Sequence, residues 1–157
     1  MNKITLSFLL IFLVGCSSGP SISGDIPHFS WPVKKGRLTQ EFKSGSKKHE
    51  GIDIGGRKNS PIYASAAGVV LYAGRDFSGY GKLIIIEHQG DRWASFYAHL
   101  NSFKVKEGSR VRAGQLIGRM GRTGRATGVH LHFEIRYNKT PIDPLEVLSQ
   151  KVFLSRK

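Results

Sequence analysis

The chain has 157 residues, with 24 lysines and arginines against 11 aspartates and glutamates, a formal net charge of +13. That length suits a single domain, and one cysteine excludes an intramolecular disulfide framework. The charge favours polyanionic surroundings. The basic residues are dispersed, however, as in Lys34-Lys35, Lys47-Lys48 and Arg119, Arg122 and Arg125, and lack the aromatic interleaving of a nucleic-acid reader. Most of them read as solvated loop charges, and no nucleic-acid partner is expected.

Residues 1–15 read as a secretory signal. Lys3 supplies a short positive start, and Ile4 to Val14 form an apolar run too short to remain in a bilayer as a permanent helix. Leu13-Val14-Gly15-Cys16 resembles the bacterial lipobox, which implies lipid attachment at Cys16 and a membrane partner through that anchor. Ser17 resembles the sorting class of the outer membrane. The expected location is therefore the cell envelope, on the outer membrane facing the periplasm in a Gram-negative host. For such a chain, wall polymers and lipid headgroups are the polyanions at hand.

Residues 16–30 combine the lipidated cysteine with SSGPSISGDIPHFS, whose Ser, Gly and Pro content predicts a flexible tether. Fully extended, it reaches at most roughly 50 Å. With only this short tether ahead of the domain, any groove on the domain is expected to be open. The domain is expected over 31–148, since Trp31 is the first large apolar group worth burying, and 149–157 reads as a loose basic tail. His28 reads as polar filler.

Beyond Trp31, short apolar runs alternate with glycine turns. Strands are predicted at RLTQEF (37–42), PIYAS (61–65), GVVLYAG (68–74), KLIIIEH (82–88), RWASFYAH (92–99), QLIGRM (115–120) and HLHFEIRY (130–137). Breaks fall at Gly79-Tyr80-Gly81, Glu107-Gly108 and Thr123-Gly124. Helical periodicity is absent apart from a possible turn at 144–148. The nineteen glycines fit tight hairpins, because hydrophobic runs separate them. The class is all-β, an antiparallel sheet or sandwich in one domain.

The last predicted strand carries the chemistry. His130, His132, Glu134 and Arg136 share one face, and Leu131, Phe133, Ile135 and Tyr137 the other. Upstream, His49 and Asp53 stand four apart, and imidazole and carboxylate are ordinary zinc ligands. On a straight strand they would be roughly 13 Å apart. A shared ion therefore requires the backbone to bend, and Gly51 is the residue that permits it. Strict alternation through 92–99 puts Trp93, Ser95, Tyr97 and His99 on one face. Together, one carboxylate and two histidines make a three-ligand set with two further histidines beside it, and His28 and His88 are left as bystanders.

In order and spacing, His49-x₃-Asp53, Tyr97-Ala98-His99 and His130-Leu131-His132 resemble the lysostaphin-type zinc endopeptidases, the LytM family. The likeness runs over about 31–148, through GYGKLIIIEH, VKEGSRVRAGQLIGRMGRTGRATG and PIDPLEVL. It implies a fold of the duplicated hybrid motif type and one Zn²⁺ per chain, held by His49, Asp53 and His132. By the same resemblance, His99 and His130 act in proton transfer or oxyanion stabilisation, and the substrate is a peptide bond in the stems or cross-bridges of peptidoglycan. Glu134 is open to two roles, orienting a ligand or making a cross-strand ion pair, with the ion pair favoured. One departure stands out: some family members place a tyrosine shortly before the first histidine ligand, and residues 36–48 contain none.

Two rival readings remain. Envelope lipoproteins of the same family that have lost zinc ligands activate cell-wall amidases, and HFEIRYNKTPIDPLEVL resembles that branch. The chain retains all five site residues, which favours the enzyme. Separately, GVVLYAG followed by VKEGSRVRAGQLIG resembles biotinyl and lipoyl carrier domains. Those attach their cofactor to a lysine at a hairpin tip, and no lysine lies between Gly108 and Gly128.

Overall fold

Period-two alternation carries most of the chain into strands. The computed structural model describes residues 26–149 except 47 and 89, together with the backbone of Leu154–Ser155. The signal segment, Cys16, most of the tether and most of the tail lie outside the described residues. In chain order the strands are β1 (Gly36–Gln40), β2 (Ile52–Gly55), β3 (Pro61–Tyr63), β4 (Gly68–Gly74), β5 (Leu83–His88) and β6 (Trp93–Ala98). They continue with β7 (Leu100–Phe103), β8 (Arg110–Val111), β9 (Leu116–Met120), β10 (His130–Tyr137), β11 (Thr140–Ile142) and β12 (Leu154–Ser155). The expected turn near 144 is a 3₁₀ turn over Pro144–Glu146, capped by the Asp143 carboxylate.

The large sheet runs β12-β1-β2-β10-β6-β5-β4-β8, with β11 on β10, and a smaller sheet runs β3-β9-β7. Pairing is antiparallel except between β12 and β1. The all-β antiparallel expectation therefore holds. Asn138 and Lys139 close the β10–β11 hairpin with φ of 47° and 68°, the mirror-image turn that suits the right-handed twist of the strands.

The apolar face of β10 packs inward. Leu131, Phe133 and Ile135 are fully buried and join Ile52, Ile54, Ile62, Leu100 and Ile117 in one core spanning both sheets. Each contributes about 1.5–3 kcal/mol relative to exposure. A one-residue slip of β10 would instead turn His130, His132 and Arg136 into the apolar core, so its register is strongly determined.

The buried core includes a residue upstream of Trp31. Phe29 is 1% exposed and packs on His88 and Trp93, with ring centroids 5.1 and 5.6 Å away, whereas Trp31 is only partly buried. The Ser149 N–H donates to Phe29 O and the Trp31 indole N–H to Ser149 O, both at 2.9 Å, which fastens the two ends of the domain together. Leu154–Ser155 of the tail pairs with Gly36–Arg37 as a short strand.

Candidate metal centre

The register of β2 against β10 sets Asp53 directly opposite His132 and Gly55 opposite His130. Side chains of opposed residues lie on the same face, close enough to touch. His49 reaches them from outside β2, on a loop whose backbone pairs with Lys43. Three donor atoms converge as a result. His49 Nε2 lies 3.1 Å from Asp53 Oδ1, His132 Nδ1 lies 2.8 Å from the same oxygen, and the two nitrogens are 3.2 Å apart. Tetrahedral zinc with bonds of about 2.0–2.1 Å needs donors about 3.3 Å apart, so the triangle fits one such ion with a slight expansion. This is the group among the described residues able to hold a metal.

Each imidazole is oriented by its other nitrogen, as metal-binding histidines are. The His49 Nδ1–H donates to Glu41 O at 2.9 Å, and the His132 Nε2–H donates to Glu134 Oε1 at 3.0 Å. Gly51 does provide the bend that four-residue spacing on a straight strand would forbid. It is needed because the chain there presses against β10, where a Cβ would overlap the Phe133 carbonyl oxygen and come within 2.9 Å of Glu134 Cγ.

His130 and His99 stand beside the triangle. The His130 Nδ1–H donates to Gly128 O at 3.1 Å, with Nε2 3.7 Å from Asp53 Oδ2. The His99 Nδ1–H donates to Thr123 O at 2.8 Å. Their rings are 4.7 Å apart, and His99 is 5.9 Å from His132. His99 does not arrive by alternation. Trp93, Ser95 and Tyr97 point into the core, but the strand breaks at His99, whose φ of 59° turns its ring to the opposite face. Such a conformation costs about 1–3 kcal/mol and persists only where surroundings enforce it. Here the His99 N–H is tied to Tyr80 O at 2.9 Å and its ring to Thr123.

Electrostatics divide these groups. Burial, reinforced by His130 and His132, lowers His99 to about 4, so it is neutral at pH 7. Burial opposes charge on Asp53, but hydrogen bonds from His132 and His49 hold its carboxyl well below the usual carboxylate range. Burial also opposes charge on His132, yet Asp53 and Glu134 on either side raise it to about 9. A metal ion entering this triangle would therefore displace a proton.

Glu134, fully buried, meets both His132 and Arg136. Its Oε1 accepts from His132 and, at 2.7 Å, from the Tyr80 hydroxyl, while Oε2 accepts from Arg136 Nε at 2.7 Å. The ion pair runs along β10 itself rather than across strands. Arg136 continues to Glu50 at 2.8 Å and lies 4.3 Å over the Phe96 ring. Tyr80, unrecognised in the sequence, lines the pocket, but its hydroxyl is committed to Glu134. The flanking Gly79 and Gly81, both at positive φ, were its signal. The bystanders stay apart: His28 is exposed, and His88 is buried among Ala67 and Ser95.

The site is a His/Asp/His triangle able to hold a metal ion, flanked by two further histidines on an antiparallel β scaffold. The pattern of Peptidase family M23 matches residues 47–144, and the chain belongs to that family. It is 40% identical over 134 residues to a Pseudomonas aeruginosa protein named lipoprotein NlpD/LppB homolog, covering 85% of this chain and 43% of that one. It is 43% identical over 129 residues to the Escherichia coli murein hydrolase activator NlpD, covering 82% and 33% respectively. The crystal structure of a zinc-containing peptidase from Vibrio cholerae superposes with a TM-score of 0.71 at 32% identity, covering 82% of this chain and 41% of that one. The chain thus spans less than half the length of each of these proteins.

Proposed function

We propose that the chain is an envelope lipoprotein, anchored through Cys16, that promotes peptidoglycan cleavage by activating a murein hydrolase such as a cell-wall amidase. The supporting observation is the likeness to relatives that bear the activator name, at 43% identity across most of this chain. The motifs alone favoured direct hydrolysis, and the relatives shift the balance. The missing tyrosine upstream of His49 is in keeping with that shift.

A second reading, zinc-dependent endopeptidase, is favoured by the geometry itself. His49, Asp53 and His132 present three oriented donors at one point. Bound there, zinc would polarise the scissile carbonyl and acidify the attacking water. His99 and His130 each spend Nδ1–H on a backbone carbonyl, which leaves Nε2 as an acceptor facing the cleft. Neutral His99 is suited to take the water proton as the tetrahedral centre forms and to return it to the leaving amine, with the His130 Nε2 as a second proton acceptor beside it.

One experiment separates the readings. The purified protein, supplied with zinc, is incubated with peptidoglycan alone and with a murein amidase, and products are read by mass. An activator releases nothing alone and accelerates the amidase. Peptide fragments released without the amidase and abolished by a chelator establish the endopeptidase and overturn the first reading.

A further inference from the structure

The cleft at the metal centre has two lobes. One, of about 340 Å³, holds His49, His132 and Tyr80 with Arg125 at its edge. The other, of about 580 Å³, extends over Gly55, Gly56 and Val129 and carries Arg37. Asp53 and His130 line both lobes, so the metal triangle sits in the first lobe at its junction with the second, while Arg125 lines only the first and Arg37 only the second. Asp53, turned to the metal triangle, is the one acidic residue of the lining. Among the described residues the salt bridges are made by Lys48, Arg136 and the histidines, and neither of these two arginines has an acidic partner.

Both arginines are exposed but stand on rigid backbone. Arg37 is within β1, paired with Gly55. Arg125 rides on a loop locked to residues 79–82. Its N–H donates to Gly79 O at 2.9 Å, and the Lys82 N–H donates to Thr123 Oγ1 at 2.9 Å. Gly81 and Gly124, with φ of 64° and 68°, interlock so closely that a Cβ on either would overlap the other's backbone. The same loop supplies the Thr123 carbonyl that holds His99, so the cation's position is tied to that of the reacting groups.

We infer that the cleft receives an extended peptide carrying a carboxylate on each side of the metal centre, one gripped by Arg125 and the other by Arg37. The inference rests on the reading that this cleft takes a wall peptide, whether the peptide is then cut or only held. The guanidinium fork matches a carboxylate in two parallel hydrogen bonds. At a solvated rim such pairs select more than they strengthen. The net charge of +13 adds a long-range pull on an acidic ligand.

The test uses the full protein with zinc and a synthetic peptide bearing two free carboxylates, beside the same peptide with both amidated. Binding is measured by calorimetry. The acidic peptide should bind roughly tenfold or more tightly than the amidated one. Arg125→Gln and Arg37→Gln should each weaken it roughly threefold to tenfold, the scale of an exposed charge-assisted pair. Neither variant should alter zinc content or binding of the amidated peptide. Equal binding of the two peptides, or unchanged binding by both variants, overturns the inference alone. Failure of both peptides to bind overturns it together with the wall-peptide reading of the cleft.

Discussion

Replacing Glu134 by Gln tests whether the buried carboxylate serves the metal centre or only the fold. Its side chain is 0% exposed and accepts hydrogen bonds from three donors, on His132, Tyr80 and Arg136. An amide of the same shape keeps one good acceptor and turns its NH₂ against a donor. Removing one partner of a buried ion pair costs about 3–5 kcal/mol. Arg136 is only partly buried and retains Glu50, so the expected loss is nearer 2–3 kcal/mol. Losing the group that fixes a ligand histidine should also weaken zinc binding, roughly 10–100-fold. Urea unfolding of the metal-free protein reads the first effect, and competition with a chelator of known affinity reads the second. Tyr80→Phe removes one hydrogen bond while leaving the His132 contact, and should cost only about 1 kcal/mol with little change in zinc affinity. If Glu134→Gln lowers stability but leaves zinc affinity within about threefold of the parent, the carboxylate does not orient His132 and the reasoning fails.

Alanine at His49, Asp53 or His132 should abolish stoichiometric zinc, whereas alanine at His99 or His130 should retain about one ion per chain. Under the endopeptidase reading the latter pair lowers turnover roughly 10²–10⁴-fold, so metal analysis beside a fragment assay separates the two classes. His88 predicts a pH effect on stability unrelated to the cleft. Burial lowers its pKa, offset in part by the bond to Ala67 O, so the unfolded chain binds a proton that the native protein refuses. Stability should therefore fall as pH drops below about 6.5, by up to about 1.4 kcal/mol per pH unit until the native pKa is reached. His88→Gln should remove its share of that slope and leave the share that His99, also lowered by burial, contributes, and identical acid slopes in urea midpoints for the two proteins would contradict the assignment.

Much of the fold is written locally. The alternation of residues 130–137 determines which side chains enter the core and which face the cleft, because a strand's side-chain period of two is a property of the strand alone. The candidate ligands His49, Asp53 and His132 are likewise legible in the sequence, through their resemblance in order and spacing to a known family's motifs. Only the tertiary structure decided how they meet. Asp53 lies against His132 because β2 and β10 pair in that register, across 79 residues of chain. His99 reaches the cleft because the strand breaks under it, against the alternation that would have buried its ring in the core. Tyr80 meets Glu134 across 54 residues. The acceptors that orient His49, His99 and His130 are the carbonyls of Glu41, Thr123 and Gly128. Every residue carries such a carbonyl, so no side-chain pattern can announce which ones the fold will bring within 3 Å or so of an imidazole.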